Sequence, residues 1–157
     1  MTSLFSLNSR LKSSVGRWGG LMVASCAIAM TGQSAIAQTR VYNPIPLPAS
    51  REITDRLTTQ DIPTGFGGHA RDYTVQLQAG DQVAIDLMSD EFDTIVTLIS
   101  SDGVTIGEND DGPDGTTNSL LFARITESGT YIIRVTAFAG QGTGEFFLKV
   151  ARLRPVE

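Results

Sequence analysis

Apolar and polar residues alternate with a period of two along most of the chain from residue 51 onward. Within 129–138, for example, Tyr131, Ile133 and Val135 recur at every second position. This alternation directs successive side chains to opposite faces of a β-strand. The run at 94–100 is apolar on both parities, which is typical of a strand covered on both faces. The pattern predicts about eight strands, near residues 52–60, 70–78, 82–89, 93–100, 103–108, 119–126, 129–138 and 143–152.

Turn residues separate these runs at regular intervals. Asp102-Gly103 and Ser128-Gly129 place a glycine where a tight turn needs a positive φ. No long stretch of the chain after the leader has the period of a helix. Short, evenly spaced strands of this kind predict an all-β fold, a jelly-roll-like antiparallel β-sandwich over residues 51–157.

Residues 1–37 have the order of a secretory signal peptide. Basic residues precede an uncharged apolar run at 18–30, and small residues follow at Ala35 and Ala37. The apolar run is shorter than the roughly 20 residues that a membrane-spanning helix needs. We therefore predict cleavage before Gln38 and export of a mature chain without a membrane span, to the periplasm or out of the cell.

The single cysteine, Cys26, leaves a second interpretation of the leader open. Together with the three residues before it, it loosely resembles a lipoprotein box, whose cysteine is lipidated. In either case the domain itself has neither a disulfide nor thiolate chemistry, so packing alone must hold it together.

Between the leader and the first predicted strand, residues 38–50 contain three prolines within five positions. Proline lacks an amide donor and fixes φ, so this segment predicts an extended linker.

The charge of the chain limits its partners. Of 12 basic residues, three lie in the leader, so the remainder carries 9 basic against 17 acidic residues, a net charge of −8. Phosphate recognition needs a basic face, so nucleic acid and anionic membranes are excluded as partners. A cationic partner, a metal ion or simple solubility all agree with this charge.

The acidic residues are concentrated between residues 81 and 114, where there are ten of them and no basic residue. The densest stretch is 108–115 (ENDDGPDG). Oxygen ligands on such a loop suit Ca²⁺, although the spacing is not that of an EF-hand. The alternative is an ordinary turn in which Asn109 and Asp110 cap their own backbone.

An ordered set of short motifs gives the chain a family resemblance. The motifs are DYTVQLQAGD at 72–81, FDT at 92–94, LISSDG at 98–103, ENDD at 108–111 and SGTYIIRV at 128–135. Together they resemble the bacterial pre-peptidase C-terminal domain, over roughly residues 52–152. The resemblance implies a non-catalytic jelly-roll-like sandwich that is attached to secreted proteins, often peptidases.

The same resemblance implies a role in secretion, in solubility or in binding polymeric substrates, and some relatives bind Ca²⁺. Carried onto this chain, the cation ligands would be Asp93, Asn109, Asp110 and Asp111, to which we add Asp114 because it is nearby. No peptidase precedes the module here, so we expect a stand-alone copy that acts by itself or on a partner in trans.

Enzyme motifs are absent from the sequence. It has no G-x-S-x-G, no H-E-x-x-H and no cysteine nucleophile in the domain. The only histidine, His69, follows two glycines and is predicted to be a solvated loop residue. Asp110 and Asp111 are adjacent, and adjacent carboxylates rarely flank a substrate as those of a glycosidase do. We therefore predict that the chain is not an enzyme.

Two functions are favoured, and an enzymatic function survives only through His69 and the carboxylates. The first is an exported binding or adhesion module, with or without a stabilising Ca²⁺, that docks on a cell-envelope or extracellular polymer or protein. The second is a secreted structural or chaperone-like accessory that has no ligand of its own.

Overall fold

The computed structural model describes residues 42–65, 67–113 and 115–153. The predicted signal peptide at 1–37 lies outside these residues. Within the described part of the chain, no helix is both long and apolar enough to cross a membrane.

The described residues form ten strands. Eight are the strands that the alternation predicted, and two are additional two-residue strands, so the prediction of an all-β sandwich is confirmed. In chain order the strands are β1 (Ile45–Pro46), β2 (Glu52–Leu57), β3 (Ile62–Pro63), β4 (His69–Leu77), β5 (Gln82–Met88), β6 (Thr94–Ile99), β7 (Thr105–Asn109), β8 (Ser119–Arg124), β9 (Gly129–Ala137) and β10 (Gly144–Leu153).

The strands form two sheets that face each other. The larger sheet has the order β1-β4-β9-β6-β7, and β3 also pairs with β4. The smaller sheet has the order β2-β10-β5-β8. Neighbouring strands are antiparallel throughout, except that β1 runs parallel to β4. Strands that are distant in the chain lie side by side, as expected of a jelly-roll-like sandwich.

The core lies between the sheets and consists of the alternating apolar side chains. In β9, the side chains of Tyr131, Ile133 and Val135 are buried as predicted. Phe146 of β10 meets Tyr73 of β4 in an edge-to-face contact with ring centroids 6.2 Å apart. Such contacts contribute beyond the area they bury, by about 0.5–1.5 kcal/mol each.

One predicted strand is shorter than expected. The strand predicted at 52–60 ends at Leu57 because a turn begins at Thr58. The carboxylate of Asp61 accepts hydrogen bonds from the backbone N–H of Thr58 at 2.7 Å and from its hydroxyl at 3.0 Å. Aspartate competes with strand pairing in this way wherever its side chain can reach the local backbone.

Part of the segment predicted as a linker lies along the larger sheet. Residues 45–46 pair with β4 as β1, and the N–H of Leu47 donates to the carbonyl of Thr74 at 2.9 Å. Prolines fit here because β1 is an edge strand, where a missing N–H need not break a ladder. The division of the chain into leader, linker and domain stays a prediction.

Candidate functional site: a cleft at the edge of the larger sheet

The acidic loop between β7 and β8 is tied together by its asparagine. The side-chain amide of Asn109 donates to the carbonyls of Asp111 at 2.6 Å and Leu120 at 2.8 Å. The N–H of Leu120 donates to the carbonyl of Asp111 at 3.1 Å. The side chain of Asn109 therefore joins the loop to β8 through backbone carbonyls, which is part of the turn interpretation of this loop; capping by Asp110 stays a prediction.

Among the described residues, the predicted carboxylate ligands Asp93, Asp110 and Asp111 do not form a cluster that could hold a metal ion. Asp93 lies just before β6, where its backbone carbonyl accepts the N–H of Phe138 at 2.8 Å. Among the described residues, no group of three or more histidine, cysteine, aspartate or glutamate side chains could hold a metal ion. Asp114 lies outside the described residues, and Ca²⁺ binding through Asp93, Asn109, Asp110 and Asp111 stays a prediction.

A different site forms at the outer edge of β4. Both two-residue strands pair with this edge, β1 at Tyr73 and Thr74 and β3 at His69 and Ala70. The edge between them, at residues 71–72, is left open beneath a cleft of about 350 Å³. The walls of the cleft are mainly apolar side chains and its floor carries charged ones; the lining residues are Tyr42, Asn43, Pro44, Ile45, Gln60, Asp61, Ile62, Pro63, Ala70, Arg71 and Asp72.

One charged group in the floor is a fully buried carboxylate. The side chain of Asp72 has no exposed surface, and its two oxygens accept hydrogen bonds from Nε and Nη2 of Arg134, each at 2.8 Å. The hydroxyl of Tyr42 donates to the same carboxylate at 2.6 Å. The pKa of Tyr42 is raised to about 12, mainly because the side chain is partly buried and secondly because of this hydrogen bond. The hydrogen bond with Asp72 likewise raises the pKa of Arg134.

A second charged cluster connects the two sheets. Arg71 of β4 donates through Nε to Asp55 of β2 at 2.9 Å and through Nη1 to Asp61 at 2.6 Å. The buried hydroxyl of Tyr73 donates to Asp55 at 2.7 Å. Burial raises the pKa of Tyr73 well above its usual range. Burial alone would raise the pKa of Asp55, but hydrogen bonds from Tyr73 and a backbone N–H, with the charge of Arg71, lower it on balance.

This arrangement suits binding. Apolar walls with a few oriented polar groups are the usual features of a ligand cleft. Exposed aromatic side chains and arginines are also the residues that most often dominate protein–protein contacts. The ion pairs at the cleft contain three carboxylates and two guanidinium groups, so their net charge is −1. The carboxylates are Asp55, Asp61 and Asp72, and the guanidinium groups are Arg71 and Arg134.

Sequence reasoning did not find this cleft. Its hydrogen-bonded pairs are far apart in the chain: Tyr42 and Asp72 are separated by 30 residues, and Asp72 and Arg134 by 62. The available signal was the charge of Arg71, Asp72 and Arg134 inside strands that are otherwise largely apolar. Charges in strand interiors need partners, but the sequence does not say which ones.

His69 was predicted to be a solvated loop residue, and this is wrong. It is the first residue of β4, it is half-buried, and it pairs with Pro63. The strand begins here because Ile62 and Pro63 supply a short antiparallel partner, which the alternation pattern did not reveal. His69 lines a shallow hollow with Thr64 and Thr136, and none of the ion pairs among the described residues includes it.

Comparisons with known proteins give one matching family model. Residues 70–137 match the family model described as the bacterial pre-peptidase C-terminal domain. The matched segment includes Arg71, Asp72 and Arg134, whereas Tyr42 and Asp61 lie before it. No curated protein matches the chain in sequence.

Solved structures with a similar fold include the following two proteins. Aeromonas hydrophila PliG, a periplasmic lysozyme inhibitor of g-type lysozyme, is 17% identical with a TM-score of 0.53, over 71% of this chain and 96% of PliG. The pre-peptidase C-terminal domain of collagenase from Bacillus anthracis is 15% identical with a TM-score of 0.52, over 69% of this chain and 93% of that domain. At these identities the similarity is one of fold.

Proposed function

Because residues 70–137 match the family model of the bacterial pre-peptidase C-terminal domain, we propose that the chain is an exported, non-catalytic module of this kind that binds a basic protein partner. The observation that carries the proposal is the cleft at the edge of β4, with apolar walls over a charged floor. Each charged side chain in that floor is already paired, so the floor orients a partner and performs no chemistry on it.

The walls of the cleft favour a protein segment as the occupant. Tyr42 is 52% exposed, while its hydroxyl is anchored to Asp72. Pro44 and Pro63 stiffen the two walls, so little conformational freedom is lost when a partner docks. A ring held in place in this way offers contact area, and its face attracts a lysine or arginine side chain.

The negative charge of the cleft and of the chain favours a positively charged partner. The cleft carries one net negative charge, and the part of the chain after the predicted leader carries −8. A field of this sign steers a basic protein toward the surface and repels an acidic one.

A precedent for the fold supports a protein partner. A. hydrophila PliG inhibits g-type lysozyme and is periplasmic, so a sandwich of this fold can serve as a protein-binding module outside the cytoplasm. The predicted signal peptide at residues 1–37 supports export of this chain.

Site-specific photo-crosslinking in the producing cell tests the proposal. Tyr42 is replaced by p-benzoylphenylalanine, and in a matched control Phe122 receives the same replacement. Phe122 is 63% exposed but lies in β8, on the smaller sheet. We expect one discrete protein adduct from position 42 and none from position 122.

A pair of charge variants makes the result specific to the cleft. Asn43 lines the cleft and is exposed, so Asn43→Lys adds a positive charge and Asn43→Asp a negative one. With a basic partner, the adduct weakens in Asn43→Lys and persists or strengthens in Asn43→Asp. An adduct from position 122 alone, or an adduct insensitive to both charges, would show that the cleft is not the contact. The absence of adducts at both positions would favour the accessory without a ligand.

A further inference from the structure

Two arginine side chains converge on one carbonyl oxygen at the other end of β1. Nη2 of Arg51 lies 3.4 Å from the carbonyl oxygen of Gln76, and Nη2 of Arg152 lies 3.0 Å from the same atom. Asp81 is the carboxylate beside them, with Oδ2 3.1 Å from Nε of Arg152. Two positive charges thus share one negative charge, within a chain that is otherwise acidic.

The guanidinium group of Arg51 is incompletely satisfied. Among the described residues, its Nη1 is buried and has no hydrogen-bond partner. Burial, followed by the charge of Arg152, lowers the pKa of Arg51. Nε of Arg152 faces Asp81 as an ion pair but is not aligned for a hydrogen bond. A buried donor without an acceptor is costly, and such groups in folded proteins generally have a reason.

The backbone of Arg51 is also unusual. Its φ is +61°, a left-handed conformation that residues other than glycine rarely adopt. Hydrogen bonds fix it from both sides: its N–H donates to the carbonyl of Pro48 at 2.8 Å, and its carbonyl accepts the N–H of Val150 at 2.9 Å. Strain of this kind persists only where the surroundings impose it, and it is concentrated at sites that bind or react.

A cleft of about 360 Å³ lies beside this side chain. Residues 46–49 form one side, and Thr74 and Gln76 form the other. We propose that Arg51 is the centre of an oxyanion-binding site, which takes a carboxylate or phosphate group from this cleft. The planar guanidinium group matches two oxygens of such a ligand, and the ligand supplies the negative charge that the arginine pair lacks.

The arginines would have different roles in this site. The long contact with Gln76 is the only hydrogen bond of the Arg51 side chain within the described residues, so turning the group toward the cleft loses little. Arg152 is held by Gln76 and Asp81 and contributes positive charge from behind. The site is separate from the cleft that holds Tyr42 and Asp72, and it does not depend on the function proposed for that cleft.

Titration of the full chain followed by nuclear magnetic resonance tests the site. The Nε–H signals of ¹⁵N-labelled arginines are recorded as sodium phosphate, and in a second arm sodium acetate, replaces sodium chloride at constant ionic strength. We expect a saturable shift of the Arg51 signal. Binding of phosphate alone would identify a phosphate-type ligand, and binding of both anions would include carboxylates.

Three variants give the test its specificity. Arg51→Gly removes the guanidinium group, and it also relieves the strain at positive φ, so the loss of binding cannot be ascribed to misfolding. Arg124→Gln removes the same charge from an exposed position on β8 and leaves binding unchanged. Asp81→Asn removes the competing negative charge and tightens binding by about fivefold, the upper size of one solvent-screened charge interaction.

Opposite results overturn the inference. Equal titration curves of the neighbouring Arg152 Nε–H signal in the unchanged chain and in Arg51→Gly would exclude Arg51 as the binding group. Shifts that do not saturate and are equal at Arg51 and Arg124 would show only general screening by ions. Weaker binding in Asp81→Asn would show that Asp81 organises the arginines and does not compete with the anion.

Discussion

The change Asp72→Asn should destabilise the sandwich far more than breaking an exposed ion pair. The new side chain has almost the same shape, but it lacks the negative charge that the two nitrogens of Arg134 contact at 2.8 Å. Its amide group also brings a donor against one of these donors or against the hydroxyl of Tyr42. A charge that was paired in a buried position is then left without its partner.

The expected size follows from the burial of the two partners. Removing one member of a buried ion pair costs about 3–5 kcal/mol. The Asp72 side chain is fully buried, but Arg134 keeps 34% of its side chain exposed, where water can solvate its charge. We therefore expect a loss of about 2–3 kcal/mol in the free energy of unfolding.

Urea unfolding followed by circular dichroism measures this loss. The matched control is Glu52→Gln, which breaks the pair between Glu52 and Lys149 at 3.0 Å, where 43% and 45% of the side chains are exposed. That change should leave the free energy of unfolding almost unchanged, because water and salt screen the exposed pair. Equal losses in the two variants would refute the reasoning, because the carboxylate of Asp72 would then be no more important than a surface charge.

Three further predictions follow from the charged clusters and the acidic loop. The raised pKa of Tyr42, about 12 against an ordinary 10.0, gives stability that is present below pH 10 and is lost as the pH rises toward 12. Tyr42→Phe should therefore reduce the alkaline loss in melting curves to the part that Tyr73, whose pKa is also raised, contributes, and an unchanged loss would contradict this reasoning. The pKa of Asp55 is lowered from its ordinary value of 3.8, so its carboxylate gives stability that is present above pH 3.8 and is lost as the pH falls further. Asp55→Asn should therefore be less stable at neutral pH, and its free energy of unfolding in urea should depend less on pH in the acid range. If Asp93, Asn109, Asp110, Asp111 and Asp114 bind Ca²⁺, the ion at 100 times its Kd should stabilise the fold by about 2.7 kcal/mol over EDTA, and identical melting would exclude the site.

Most of the strands could be predicted from the sequence because one face of each is buried; β7, whose residues are exposed or half-buried, is the exception. In β9, for example, Tyr131, Ile133 and Val135 must lie on the same side, and a shift by one residue would expose all three. The same rule could not find β1 or β3. Each has two residues, one of them a proline, and each is defined by its partner β4, so no local period marks them.

The charged clusters could not be predicted for a related reason. An alternating pattern gives the face of a residue but not its neighbour across the sheet, and Asp72 meets Arg134 only because β4 and β9 pair in one register. The acidic loop was more accessible to sequence reasoning. Asn109 can reach its own backbone within a few residues, so the turn required no knowledge of the rest of the fold.

The short pairing of β1 affects how a partner could enter the cleft that contains Tyr42 and Asp72. Ile45 and Pro46 pair with only one strand, and Ile45 is only partly buried against the core of the sandwich. Opening of this wall would break one short pairing and the hydrogen bond from Tyr42 to Asp72, and it would leave the pairings among the longer strands unchanged. The N–H of Leu47 donates to the carbonyl of Thr74, so amide hydrogen exchange at Leu47 would measure this opening. We expect exchange there to be much faster than in β9.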